Sequence, residues 1–225
     1  MKSKYYKNLD YKVFGDKKQK TIILLSGWLH NFENEKDFLN KLTKYFRVIT
    51  VKYPGYYGAT DLNCLPEAYT YSDIVYSLIK KLKLKNFILL GFSLGCQIVL
   101  HTVSKYKLKN KIILISPTTH NLDEDVPYVL RLFIKNRKIF ELIRKNSLIS
   151  KLIVNMAYNK ISRITQGKKV RTNGFKNSNI TLNGAFDTLY FVSTNFINPK
   201  DFVKQTKFIF GSNEILQHKF NENCL

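Results

Sequence analysis

Asn86-Phe-Ile-Leu-Leu-Gly-Phe-Ser-Leu-Gly-Cys-Gln-Ile-Val-Leu100 is the stretch whose reading decides the fold. Asn86 to Leu90 is an apolar run of strand length, and the residues from Leu94 to about Lys105 are apolar on several faces, as a buried helix is. Between them stands Gly91-Phe92-Ser93-Leu94-Gly95, a G-x-S-x-G pentapeptide. Alone that pattern is weak, because it arises often by chance. Between a strand and a helix it has a physical meaning. A tight strand-to-helix turn crowds its neighbours, and Gly91 and Gly95 remove side chains where backbones come close. Ser93 is then left above the sheet edge in a strained conformation. The helix N-terminus beneath it favours a developing negative charge.

Working outward, the same alternation recurs. Thr21 to Leu25 reads as a buried parallel strand that ends at Ser26-Gly27-Trp28. A helix is predicted from about Glu33 to Tyr45, with Phe38, Leu39, Leu42 and Tyr45 on one face. Arg47 to Val51 is the next strand, and it stops at the loop Tyr53-Pro54-Gly55-Tyr56-Tyr57-Gly58. Ile74, Val75, Leu78, Ile79 and Leu82 predict a helix over 70–83, and Lys111 to Ile115 predicts a further strand. Strand and helix in alternation give an α/β chain, a mostly parallel sheet with helices on both faces. The segment Lys12 to Phe14 is expected to add an antiparallel edge. From Thr118 to Asn198 apolar residues recur at helical spacing among lysines and arginines, with a final helix over 182–196. The expected division is a core of residues 1–118 and 199–225 and an inserted helical lid of 119–198. Lys207 to Phe210 returns the chain to the sheet.

These motifs together resemble the α/β-hydrolase fold family. Leu25-Ser-Gly-Trp-Leu-His-Asn31 looks like that family's loop after its third strand, usually H-G-x-x. Val51-Lys-Tyr-Pro-Gly-Tyr-Tyr-Gly-Ala-Thr60 looks like its D-x-P-G-x-G-x-S, and Gly211-Ser-Asn-Glu214 like the G-x-x-D that supplies a catalytic acid. The resemblance implies that Ser93 is the nucleophile and that the backbone N–H groups of Trp28 and Leu94 form the oxyanion hole. It further implies that Glu214 orients the base. Serine in the elbow implies acyl transfer to water from an ester, thioester or lipid, with a small-molecule acyl substrate and no cofactor or metal.

The family places its histidine a few tens of residues beyond the acid, whereas only Ile215 to Leu225 follow Glu214 here. The last strand and helix of the fold are therefore expected to be absent. Of four histidines, His218 alone follows the acid, at i+4 from Glu214 if that stretch is helical. It is the expected base, with His30 and His120 as alternatives. His101, two turns into the helix after Ser93, points away from the active edge. A hydrolase-like protein that has kept the fold, lost the base and only binds is the alternative to an ester hydrolase.

The bulk numbers narrow the rest. A chain of 225 residues with 44% hydrophobic content fits one domain, or one domain with a small insertion. The first residues do not read as a signal sequence and no run is long enough for a membrane span, so a cytoplasmic location is expected. Three scattered cysteines, Cys64, Cys96 and Cys224, argue against a disulfide framework and a zinc site, and Cys96 reads as a core residue. The net charge of +21 has a bland reading, because Lys, Asn, Ile and Tyr are abundant together and most lysines are scattered singly. No nucleic-acid-binding motif accompanies them. Phe133, Phe140, Leu142 and Ile143 would suit an apolar acyl group, or simply pack the lid onto the sheet. Arg131, Lys135, Arg137, Lys138, Arg144 and Lys145 beside them open peripheral contact with an anionic membrane.

Overall fold

Six short strands pair into one sheet. They are β1 (Tyr11–Phe14), β2 (Lys20–Leu25), β3 (Phe46–Val51), β4 (Phe87–Phe92), β5 (Ile112–Ile115) and β6 (Thr206–Ile209). The computed structural model describes residues 9–30, 32, 35–117, 136–166 and 179–210. The strand order is β1-β3-β2-β4-β5-β6. Only β1 runs antiparallel, with Tyr11 opposite Val51, and the other pairings are parallel. The antiparallel edge and the parallel sheet expected from the sequence are thus both present.

The helices α1 (Lys36–Thr43), α2 (Thr70–Lys81) and α3 (Leu94–Tyr106) connect the strands, and α4 (Arg137–Lys145), α5 (Ser147–Gln166) and α6 (Leu182–Thr194) all fall between β5 and β6. Strand side chains alternate between two apolar layers, as the pleat requires. Ile23, Leu25, Ile49 and Leu89 meet Ile74 and Leu78 of α2, Ile98 and Leu100 of α3, and Phe186 and Phe191 of α6. Ile22, Leu24, Val48 and Leu90 meet Leu39 of α1 on the other face. Burial on both faces explains why these strands read as unbroken apolar runs.

The topology also says where a site belongs. From β2 the chain moves outward to β3, and from β4 it moves the opposite way to β5 and β6. The adjacent pair β2 and β4 is therefore the switch point, where the loops leaving the carboxyl ends of two strands diverge and open a crevice. Those two loops carry Trp28 and Ser93.

Several boundaries differ from the sequence reading for local reasons. α1 begins at Lys36 and ends at Thr43, after which the Tyr45 N–H turns back to the Leu42 carbonyl at 3.1 Å. Tyr45 is consequently 72% exposed and not part of the apolar face. α2 stops at Lys81, because Lys83 adopts a left-handed conformation (φ 52). The Leu84 N–H then closes on the Ile79 carbonyl at 3.0 Å, a Schellman-type end. The last strand begins one residue earlier than expected, at Thr206. Leu142 is 67% exposed and points away from the core, whereas Phe140 is buried and stacks on Phe186 with ring centroids 5.4 Å apart. His120, Phe133, Glu214, His218 and Cys224 lie outside the described residues.

Candidate active site

Ser93 stands between β4 and α3 with φ 51 and ψ −113. A residue with a side chain rarely takes that conformation, and holding it there costs on the order of 1–3 kcal/mol. The neighbours impose it. A Cβ on Gly95 would collide with the Leu25 carbonyl, and one on Gly91 would lie 2.6 Å from the Gly95 carbonyl oxygen. Both glycines are therefore required by close backbone approach. The Ser93 N–H donates to the Ile115 carbonyl at 3.0 Å and its own carbonyl accepts from the Cys96 N–H at 2.9 Å. The backbone on both sides of the serine is thus fixed.

The hydroxyl is not spent on the helix. Serine at an N-cap ordinarily accepts from an N–H of the first turn, but the Ser93 side chain makes no capping hydrogen bond. The first-turn donors of α3, Leu94 among them, have no acceptor within their own helix. Cys96, fully buried, turns its thiol back to the carbonyls of Gly91 (3.2 Å) and Ile115 (3.3 Å), as the core reading of that residue anticipates.

Across the switch point lies the loop Ser26-Gly27-Trp28-Leu29-His30. Its nearness to the serine is direct, because a Cβ on Gly27 would sit 3.4 Å from the Ser93 Cβ. Four contacts hold the loop in place. The Tyr53 hydroxyl donates to the Ser26 carbonyl at 2.8 Å. The Leu29 N–H donates to the Tyr56 hydroxyl at 3.4 Å. The Trp28 indole N–H donates to the Ala185 carbonyl of α6 at 3.0 Å. His30 N–H closes the turn on the Gly27 carbonyl at 3.3 Å.

The Tyr56 bond extends into α6. Its hydroxyl lies 2.8 Å from the Thr188 Oγ1, which in turn donates to the Gly184 carbonyl at 2.8 Å. With the threonine proton used there, Tyr56 must donate to Thr188 and accept from Leu29. Burial raises both tyrosine pKa values above the ordinary range, so both remain neutral donors at physiological pH. In the sequence Tyr53 and Tyr56 stand inside a loop motif with nothing to mark a role for their hydroxyls. Their partners lie 27 and 132 residues away, which no local pattern encodes.

The two described histidines, His30 and His101, have different surroundings. His30 Nε2 is 3.5 Å from Glu35 Oε1, and the ring packs on Phe32 and Phe92 with centroids 4.7 and 5.3 Å away. Its Nδ1 is buried without a partner, and burial lowers its pKa, with Glu35 acting the other way. His101 is 5% exposed, with Nε2 2.8 Å from the Asn195 carbonyl at the end of α6. That is the packed position, away from the active edge, anticipated for it. The structure therefore brings the loop at Gly27, next to Trp28, against Ser93, and ties His101 to the end of α6. Among the described residues no cluster of His, Cys, Asp and Glu could hold a metal, and no helix is long and apolar enough to cross a membrane.

A model of the α/β-hydrolase fold family matches residues 20–153, more than half of the chain. The chain belongs to that family. The matched span contains the switch-point loops, the elbow and the first helices between β5 and β6 of this α/β-hydrolase. No curated protein sequence matches it significantly. Among solved structures it is similar to a carboxylesterase of Nitrososphaera gargenis, with a TM-score of 0.65 and 15% identity, covering 95% of this chain and 80% of that one. A lipase-esterase related protein from Clostridium acetobutylicum gives 0.63 and 20%, over 95% and 84% of the two chains. A thermophilic esterase from Thermogutta terrifontis gives 0.61 and 14%, over 90% and 84%. At these identities the likeness is one of fold.

Proposed function

We propose that this α/β-hydrolase is a serine hydrolase that cleaves an ester or other acyl bond of a small or apolar substrate. The observation that carries the reading is the Ser93 backbone, φ 51 at a strand-to-helix turn, with a hydroxyl not spent on capping. Strain of this kind persists only where surrounding structure over-determines it, and it collects at functional sites. In the proposed mechanism Ser93 Oγ attacks the acyl carbonyl. The oxyanion that develops would be held by the backbone N–H groups of Trp28 and Leu94, where fixed donors stabilise the charge of the transition state. His218 takes the serine proton and returns it to the leaving group, with Glu214 stabilising the imidazolium. The proposed domain division assigns 119–198 to a lid over this crevice.

Turnover of a short-chain p-nitrophenyl ester tests the reading. Ser93→Ala is expected to lose three orders of magnitude or more in kcat, in line with the ~10⁴–10⁶ lost from other triads. Equal turnover by both proteins would reject it. One observation favours a second reading, a hydrolase-like binding protein without turnover. Of the two described histidines, His30 turns Nε2 to Glu35 and His101 turns Nε2 to the Asn195 carbonyl. A folded wild-type protein that binds acyl compounds without releasing product would support that reading.

A further inference from the structure

Large apolar side chains left in water are concentrated on two consecutive helices. Leu142 of α4 is 67% exposed, and on α5 Leu148 is 80%, Ile149 44%, Leu152 59% and Met156 50% exposed. The α5 positions recur at intervals of three and four, so they form one stripe along the helix. The opposite side of α5 is anchored. Ser150 and Val154 are fully buried, and the Ser150 hydroxyl donates to the Ile143 carbonyl at 2.7 Å. The stripe therefore faces outward because the other face is already docked.

Charge on this segment is sorted as well. Residues 136–166 contain seven Lys and Arg residues against one acid, Glu141. The two arginines of α4 turn inward. Arg137 reaches Glu141 and the carbonyls of Leu65 and Pro66, while Arg144 reaches Asp187 and the Leu62 carbonyl. The lysines turn outward, with Lys138, Lys145 and Lys151 exposed beside Leu142, Leu148 and Leu152. An apolar stripe bordered by exposed lysines has the composition of a helix that lies in a membrane interface, with apolar residues among acyl chains and ammonium groups at lipid phosphates.

We propose that α4 and α5 dock this face onto an anionic lipid bilayer. Other occupants fit less well. A second copy of the chain would bring two proteins of charge +21 together, at a cost in repulsion. Single-stranded nucleic acid is gripped by aromatic side chains interleaved with cations, and the stripe consists of Leu, Ile and Met. The segment also joins the active side of the molecule through Arg144, which ties α4 to α6, the helix that receives the Trp28 indole. Docking is independent of whether Ser93 turns over a substrate.

Co-sedimentation of the full chain with vesicles of phosphatidylcholine alone, or with one-third phosphatidylglycerol, tests this. Binding is expected only with the anionic lipid. Leu148→Ser with Leu152→Ser should weaken it at least tenfold, as should Lys138→Glu with Lys145→Glu and Lys151→Glu. These positions are exposed, so an unchanged thermal midpoint verifies that each variant is folded. A Leu148→Trp variant supplies a second reading, in which fluorescence shifts to the blue and is quenched by brominated acyl chains. No binding to anionic vesicles would overturn the proposal. So would binding that survives the leucine changes, since charge alone would then account for it. A concentration-dependent dimer abolished by the leucine changes would assign the stripe to a second copy instead.

Discussion

The Tyr53 hydroxyl donates a 2.8 Å hydrogen bond to the carbonyl of Ser26, the residue at which β2 leaves the sheet for the loop facing Ser93. Both residues are buried, Tyr53 at 1% exposure and Ser26 at 8%. The bond fixes the direction in which the chain departs, and hence where the Trp28 N–H sits relative to the serine.

Tyr53→Phe keeps the ring and removes the donor. An unsatisfied buried carbonyl costs about 1–3 kcal/mol, so a fall in stability of that size is expected by urea denaturation. If Trp28 supplies an oxyanion donor, ester turnover should drop mainly in kcat, with KM little changed. Tyr56→Phe deprives the Leu29 N–H of its acceptor and should act in the same direction. A Tyr53→Phe protein with unaltered stability and kcat would show that the loop is held by other contacts.

Strain at Ser93 leads to a trade between stability and chemistry. Glycine accepts φ 51 and ψ −113 without the penalty a side chain incurs. Ser93→Gly is therefore expected to be more stable than Ser93→Ala by about 1 kcal/mol, with both inactive. Thermal midpoints of the two variants measure this directly. An alanine variant as stable as the glycine one would mean that the turn stores no strain.

Gly95 is expected to tolerate no side chain. A methyl there meets the Leu25 backbone carbonyl, which has no rotamer to change. Gly95→Ala should cost about 3 kcal/mol or more, at the upper end of overpacking effects, and a soluble yield near wild type would contradict it. Gly58, with nothing within 4 Å of its Cβ position, is the spatial control, although its φ of +87 adds strain of its own.

Asp187 makes stability depend on pH. Its carboxylate pairs with the Arg144 guanidinium at 2.6 and 2.9 Å and is 1% exposed. Burial pushes its pKa from 3.8 up to about 6, and Arg144 only partly offsets this. A carboxyl raised in the folded state contributes stability that is complete below its unfolded pKa and is lost as pH rises through the folded one. Relative to Asp187→Asn, which does not titrate, the wild type should lose roughly 1–3 kcal/mol between pH 4 and 7. Urea midpoints of both proteins across that range provide the test, and parallel profiles would refute it. Arg144→Ala at pH 7 leaves the carboxylate unpaired and should cost about 3–5 kcal/mol.

Much of the frame was legible because it is local. The runs Thr21 to Leu25 and Asn86 to Leu90 are apolar throughout because both sides are covered, and Gly91 and Gly95 mark a turn that no larger residue fits. Lys12 to Phe14 was recognisable as an edge. What escaped is what depends on distance or on chain direction in space. Tyr45 fits a helical face in sequence, but the chain turns at Leu42 and leaves it in water. Leu142 reads as lining an apolar pocket or packing a lid onto the sheet, yet it faces outward on α4, whose Arg137 and Arg144 bond to Pro66 and Asp187. The Tyr53 and Tyr56 hydroxyls join the loops after β3 and β2 to α6, which only the folded sheet brings together. The expectations for Glu214 and His218 fall outside the described residues and remain part of the proposed mechanism.

The most direct test of the central claim is intact-protein mass spectrometry after treatment with a fluorophosphonate. Ser93 Oγ would displace fluoride at phosphorus and gain the phosphonyl mass. Stoichiometric labelling is expected, mapped to the peptide containing Ser93, absent in Ser93→Ala and much slowed in His218→Ala. Folded wild-type protein that acquires no label, or acquires it equally after Ser93→Ala, would contradict the assignment of Ser93 as the nucleophile.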